Sequence, residues 1–293
     1  MSAETTAGED RIGNYRFVRV LLQGQNSTVM EVVQEASGRR FAMKQLLPSR
    51  AEEASERRAF EFEAKLGMDL SHPNLIRVYE YVRDRYQPYF VMDYFPSEQL
   101  RLVLNKPDKY AWLKSRLHKV IKQSAVALAY IHDKGWVHRD IKPENILVNK
   151  TAEARLIDYA LAMRIRRGLG KFIGGRVKRQ GTLSYISPDQ LRCEPPAPTA
   201  DIYSFGITCY ELACGRQPFR ANSAAELLNK HLSELPSPPT VYNKKITPEY
   251  ADLVLKMIRK KPVDRFQSVQ EFLSQFARVK IFQDDPNPWE EQF

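Results

Sequence analysis

The most restrictive stretch of this chain is His138-Arg139-Asp140-Ile141-Lys142-Pro143-Glu144-Asn145, followed at once by Ile146-Leu147-Val148. A run so dense in charge, with a proline inside it, reads as a turn that joins a helix to the apolar strand beyond. Thirteen residues past Asn145, Leu156-Ile157-Asp158 forms a second apolar strand that delivers one carboxylate at its end. Any fold for this chain has to present these two polar ends on short buried strands.

Composition narrows the class. The 293 residues carry 45 Lys+Arg against 35 Asp+Glu, a net charge of +10, with 43% hydrophobic and 27% charged residues. These are ordinary globular values, so collagen-like, low-complexity and wholly disordered chains are excluded. The length allows a large core, in one catalytic unit or two lobes. The positive excess invites a nucleic acid, a membrane surface or an acidic partner, and only its location can decide among them. Cys193, Cys209 and Cys214 are odd in number and lack metal-ligand spacing, so neither a disulfide framework nor a zinc site is expected. The start, MSAETTAGED, is acidic and small, and every long apolar stretch is broken by charge. No signal peptide and no membrane span are expected, and a reducing cytoplasm fits.

The pattern changes along the chain. From Tyr15 to Lys44 short strand-like runs alternate with turn-like QGQNS and EASG, an antiparallel meander. Residues 49–70 have helical spacing and stop near His72-Pro73, and two further strands follow as LIRVYEYV and PYFVMDYF. After Pro96 the chain turns helical: one helix over 110–132, then others near 201–214, 223–232, 248–259 and 268–278. The expectation is an α+β, bilobal fold with a small antiparallel β-rich lobe carrying one main helix, then a larger helical lobe.

The octet with its Asp and Asn matches HRDxxxxN, and the chain resembles eukaryotic-type (Hanks-type) Ser/Thr protein kinases over roughly residues 12–280. Leu156 to Leu161 is similar to the family's DFG segment and Phe41-Ala42-Met43-Lys44 to its VAIK strand. Residues 181–189 look like the end of an activation segment, and Ala200 to Gly206 like the helix that anchors the catalytic loop. Arg265 is expected to pair with Asp189. The wording of residues 181–190 is similar to that of bacterial members. The resemblance implies Asp140 as base and Lys142, braced with Thr182, as the group that neutralises the transferred phosphoryl, a combination that favours Ser or Thr acceptors. It implies Asn145 and Asp158 as ligands for Mg2+, with Mn2+ as an alternative. It implies Lys44 on the ATP phosphates, with Glu63 as its ion-pair partner and Glu61 as the fallback. Met92 would gate an adenine pocket bounded by Leu22, Gly24, Val29, Ala42 and Leu147, with Asp93, Tyr94 and Phe95 as hinge backbone. The domain boundaries implied are a tail over 1–11, an N-lobe over about 12–92, a hinge over 93–97, a C-lobe over 98–280 and a tail over 281–293.

The chain departs from the pattern in places. Leu22-Gln23-Gly24-Gln25-Asn26-Ser27-Thr28-Val29 keeps one glycine of GxGxxG, where backbone N–H groups approach phosphate. Tyr159-Ala160 replaces Phe-Gly, and alanine adopts positive φ at greater cost than glycine. A nucleotide-binding pseudokinase scaffold is therefore the alternative reading. Arg164, Arg166, Arg167, Lys171, Arg176, Lys178 and Arg179 put seven positive charges in the activation segment, leaving 10 − 7 = +3 for the rest. Residues 164–180 contain no Ser, Thr or Tyr, so ordering by an acidic partner, an acidic substrate or the GLGKFIGG turn is expected in place of phosphorylation there. A solvated basic face is the plain alternative. Nucleic acid ranks last, because Phe172 is the one stacking aromatic in the stretch. Glu144 pulls toward basic substrates. Thr5 and Thr6 are candidate autophosphorylation sites, while His72, His118, His132, His138 and His231 read as structural.

Overall fold

A computed structural model describes residues 11–165 and 179–286. The chain divides into two compact units, Met1–Pro96 and Ser97–Phe293. The first is built on a six-stranded antiparallel sheet in the order β1-β2-β3-β4-β6-β5. Its strands are β1 (Arg11–Ile12), β2 (Tyr15–Gln23), β3 (Ser27–Gln34) and β4 (Arg40–Leu46), then β5 (Val78–Val82) and β6 (Tyr89–Asp93). Between β4 and β5 lie a short α1 (Pro48–Ala51) and the main helix α2 (Ala54–Asp69).

Strand periodicity divides this unit's core in two. Tyr15, Met30, Val32, Phe41, Met43, Tyr89 and Val91 form one buried cluster. Leu46, Phe90 and Val78 join Phe60 and Ala64 of α2 in the other. Since neighbouring side chains on a strand point to opposite faces, Ala42 and Lys44 share a face with Leu46, the face that α2 covers.

The second unit is mainly helical. It opens with β7 (Glu98–Gln99), α3 (Leu100–Leu104), α4 (Pro107–Lys114) and α5 (Leu117–Asp133). Small strands follow: β8 (Trp136–Val137), β9 (Ile146–Val148), β10 (Ala154–Leu156) and β11 (Met163–Arg164), with β7-β9-β10 in one sheet and β8-β11 in another. Then come α6 (Pro188–Leu191), α7 (Pro198–Cys214), α8 (Ala224–Ser233), α9 (Pro239–Tyr242), α10 (Pro248–Met257) and α11 (Val269–Phe276).

The centre of this unit is α7, almost wholly buried, with α5 and α10 against it. A Cβ on Gly206 would come within 2.6 Å of Met257 Cβ, so only glycine permits this approach of α10. The helix ends at Gly215 in the left-handed region, φ 72°, where a side chain is disfavoured. Ser223, Thr247 and Ser268 cap α8, α10 and α11, each accepting a hydrogen bond from the backbone N–H three residues on.

Three expectations change. The single helix over 110–132 is two, because Ser115 Oγ and Arg116 Nη1 donate to the Trp112 carbonyl and end α4, while Leu113 and Leu117 on either side of the break are both buried. The tail expected from residue 281 is docked at its start: Ile281 and Phe282 are buried and Phe282 pairs with Ile246. At the other end, the expected tail yields at Arg11, which pairs with Arg16, and its earlier residues, Thr5 and Thr6 among them, lie outside the described residues. Among the described residues no helix is long and apolar enough to cross a membrane.

Candidate active site

In the first unit, strand register gathers the predicted residues. Leu22 pairs with Val29 across β2 and β3, Val29 with Lys44 across β3 and β4, and Ala42 with Met92 across β4 and β6. Leu22, Val29, Lys44, Ala42 and Met92 thus stand on one face. Lys44 Nζ donates to both Glu63 carboxylate oxygens, at 2.7 and 2.8 Å, and lies 5.7 Å from the centre of the Phe90 ring. Glu61, the fallback, instead pairs with Lys65 at 2.8 Å and with Arg83. Asp93 Oδ1 accepts from Tyr79 Oη at 2.7 Å, Tyr94 Oη accepts from Arg19, and Phe95 is half-buried.

Gly24 begins the loop between β2 and β3. Its N–H donates to Ser27 O at 2.9 Å, and a Cβ there would sit 3.0 Å from that same oxygen. This one glycine is required by the turn, and the described residues give no positive φ at Leu22 or Ser27.

In the second unit, the β9–β10 hairpin aligns Ile146 with Leu156, and Ile157 N–H donates to Asn145 O at 3.0 Å. Asn145 and the strand end at Asp158 are thereby fixed side by side. Leu147, half-buried on β9, pairs with Arg155. Asp140 is held from several sides. Its Oδ1 accepts from Thr182 N–H at 3.1 Å and Thr182 Oγ1 at 2.9 Å, and its Oδ2 lies 2.6 Å from Lys142 Nζ and 3.1 Å from Asn145 Nδ2. Lys142 Nζ also donates to Thr182 Oγ1 at 2.6 Å.

The loop rests on Asp201, fully buried in α7. Its carboxylate accepts from His138 N–H and Arg139 N–H, both at 2.7 Å, and from His132 Nε2 at 2.9 Å. Burial pushes the Asp201 pKa up, but the His132 hydrogen bond, the His132 and His138 charges and the Arg139 N–H outweigh it, and the net displacement is downward. Arg139 adopts φ 69°, a strained value for a side-chain-bearing residue that these bonds maintain. His138 packs edge-on to Tyr159 and bonds Ile157 O through Nε2, a structural position.

The DFG-like segment departs from expectation at its hinge. The left-handed residue is Asp158, φ 70°, and Ala160 has no positive φ; its N–H donates to Asp158 Oδ1 at 3.2 Å. The chain places the unusual backbone on an Asp, whose short side chain bonds locally and tolerates it.

Asn145 and Asp158 suit a hard cation. The donor side of the Asn145 amide is taken by Asp140, which leaves its oxygen as the atom a cation could use, and Asp158 could add an anionic oxygen. Among the described residues no group of three or more His, Cys, Asp or Glu could hold a metal. An amide and one carboxylate are sufficient for an ion that takes its other ligands from water and phosphate, as Mg2+ does.

Sequence reasoning missed the Arg101 cluster. Arg101 Nε donates to Glu144 Oε1 and its Nη1 to Glu211 Oε1, both at 2.8 Å; Arg101 also bonds Tyr185, whose hydroxyl donates to Glu211 at 2.5 Å. Glu144, expected to favour basic substrates, thus has one carboxylate oxygen engaged by Arg101. Gln190 was missed as well: it closes a capping box with Ser187 and donates to Arg139 O and Gln180 O. The Ser-x-x-Gln spacing carried that signal. Arg265 Nη1 meets Asp189 at 2.8 Å.

Of the seven basic residues in the activation segment, Arg166, Arg167, Lys171, Arg176 and Lys178 lie outside the described residues. Arg179 is exposed. Arg164 has internal partners: it stacks 4.1 Å from the Trp136 ring centre and donates to Lys134 O, while β11 pairs with β8.

The profile described as protein kinase domain matches residues 15–276. A probable serine/threonine-protein kinase of Streptomyces coelicolor is 33% identical over 263 residues, covering 88% of this chain and 39% of its own. Serine/threonine-protein kinase PknA of Mycobacterium tuberculosis is 29% identical over 281 residues, 94% of this chain and 63% of its own. Serine/threonine-protein kinase PknB of Mycolicibacterium smegmatis is 31% identical over 245 residues, 82% and 39% respectively. The chain therefore spans between 39 and 63% of the length of these relatives.

Proposed function

The chain belongs to the protein kinase family, and from that membership we propose that it transfers the γ-phosphoryl group of ATP to a Ser or Thr hydroxyl of a protein. The observation that carries this is the hold on Asp140 by Thr182, Lys142 and Asn145 within 3.1 Å. Four donor groups from these three residues keep that carboxylate aimed. It takes the proton from the attacking hydroxyl as the new P–O bond forms and the bond to the ADP oxygen breaks.

Lys142 stabilises charge on the phosphoryl in flight, and Thr182 fixes its ammonium beside Asp140. Lys44, oriented by Glu63, binds the nucleotide phosphates. Leu22, Val29, Ala42 and Met92, gathered on one face of the first unit's sheet, bind the purine together with Gly24, and Asp93 and Phe95 lie beyond them. Asn145 and Asp158 are the residues that would hold Mg2+ or Mn2+, and the ion would supply neutralisation of the phosphate oxygens. In this reading the catalytic domain has lobes at about 12–92 and 98–280 and a hinge at 93–97, with Arg11 and the docked Ile281 and Phe282 belonging to it as well. The basic activation segment selects an acidic substrate or partner, and the chain works in the cytoplasm.

Turnover of Mg-ATP by the purified chain beside Asp140→Asn is the test. Transfer falling by about a hundredfold or more in the variant is expected. Equal background transfer by both would overturn the proposal. The loop with one glycine favours a second reading, a nucleotide-binding scaffold without transfer, which predicts nucleotide binding with that same equal background.

A further inference from the structure

The loop between β2 and β3 has lost two of three glycines yet is not left loose. Gly24 N–H closes it on Ser27 O, and Thr28 Oγ1 donates to Gln23 Oε1 at 3.0 Å across the ladder. From the loop itself two bonds reach beyond the hairpin among the described residues, both at Asn26. Its carbonyl accepts from Leu47 N–H at 2.9 Å, just past the end of β4, and its Nδ2 donates to Glu56 Oε2 at 3.1 Å.

Glu56 lies in the first turn of α2, where the helix dipole favours its negative charge. It stands 63 − 56 = 7 residues, two turns, before Glu63 and on the same side of the helix. Glu63 grips Lys44, and Lys44 pairs in register with Val29 at the loop's far end. The path Asn26, Glu56, Glu63, Lys44, Val29 thus closes a ring within the first unit.

We propose that Asn26 is a positioning residue for nucleotide: through Glu56 it ties the phosphate-facing loop to α2, so that the loop and the Lys44–Glu63 pair move as one body, replacing by a tether the fit that glycines give elsewhere. The proposal rests on the kinase reading for what the loop faces. A glycine-rich loop follows the phosphates by backbone mobility; this loop instead arrives already held, and its fit depends on where α2 stands. Asn26 is suited to the task by carrying an acceptor on its backbone and a donor on its side chain, one for each neighbour.

A charge swap tests it. Asn26→Asp sets a carboxylate against Glu56 and should weaken binding of Mg-ADP about fivefold, the scale of one ordinary net hydrogen bond. It should also raise KM for ATP by a similar factor with kcat little changed, and speed amide hydrogen exchange across residues 22–29. Adding Glu56→Gln restores a donor facing an acceptor, now reversed, and should return affinity and exchange to within about twofold of wild type. Asn26→Ser, too short to reach Glu56, should behave as Asn26→Asp and covers a failure of the latter to fold. Wild-type affinity in Asn26→Asp or Asn26→Ser, or no recovery in the double variant, overturns the proposal. Mg-ADP binding without phosphate transfer in the wild type removes only the transferase reading. Absence of nucleotide binding in the wild type removes both.

Discussion

The catalytic loop and the glycine-poor loop are both polar turns of eight residues or fewer, but they are held by opposite means. His138 and Arg139 are buried, and a fully buried carboxylate on a central helix takes up their backbone donors. The loop over Gly24 to Ser27 is mostly exposed, and its outward ties are one backbone bond to Leu47 and one surface bond to Glu56. In low dielectric a satisfied polar network specifies one geometry, and a broken one is costly. At the surface each bond competes with water and contributes little. Asp140 sits in a loop fixed by a buried network, whereas the loop over Gly24 to Ser27 is fixed by two ties at the surface that add little to overall stability.

The strongest way to break this contrast is Asp201→Ala. Removing a buried acid strands two backbone donors and His132, and a loss of about 3–5 kcal/mol in unfolding free energy is expected, read from the denaturant midpoint. A loss below about 1 kcal/mol would mean the loop is held by something else.

Acid sharpens the same contrast. His231 is buried in the helical unit beside Tyr203, and burial, aided by the Lys260 charge, lowers its pKa from 6.5 to about 3. Below pH 6.5 the unfolded chain takes up a proton that the folded chain refuses until about pH 3. The His231 contribution is therefore whole above pH 6.5 and is lost as pH falls through that window. Denaturant midpoints measured against pH should fall less steeply for His231→Gln than for wild type; parallel curves would remove His231 from the account.

Glu63→Gln lies between the extremes, since the Lys44–Glu63 pair is largely buried but local to one unit. A drop of about tenfold in kcat/KM is expected, carried mainly by KM for ATP. The smallest stability effect belongs to Asn26→Ser, less than about 0.5 kcal/mol in the denaturant midpoint, although its effect on nucleotide affinity is severalfold. If Asn26→Ser destabilised the chain as Asp201→Ala does, the surface loop would be part of the core and the contrast would vanish.

What was legible in the sequence follows a similar division. Asp140, Lys142 and Asn145 sit within six residues of one another, so one short string carried their arrangement, and the β9–β10 hairpin follows from local apolar runs. The choice of Glu63 over Glu61 had a periodic signal beside the resemblance, because Glu63 shares the helix face of Phe60, Leu66 and Leu70 and Glu61, two residues away, does not. Arg101 left no trace: its partners Glu144, Tyr185 and Glu211 stand 43, 84 and 110 residues away, and no periodic pattern encodes contacts at such separations. The same is true of Asn26 with Glu56 and of Arg164 on Trp136, which turned one of seven supposedly uncompensated charges into an internal contact. Docking of Ile281 and Phe282 was hidden because polar neighbours mask two apolar residues.

The reliance of the catalytic loop on Asp201 has a consequence in time. A chain emerges from the ribosome N-terminus first, and Asp201 lies 63 residues after His138. From Asn145 to Asp201, 201 − 145 = 56 residues, the nascent polypeptide carries the whole HRD octet but not the acid that holds it, and Arg139 is at liberty to relax from its left-handed backbone. The loop acquires its working shape only when α7 has been made and has packed, so the birth of a competent site is a single late event in synthesis, and a chain cut short before that helix carries the reacting groups without their geometry.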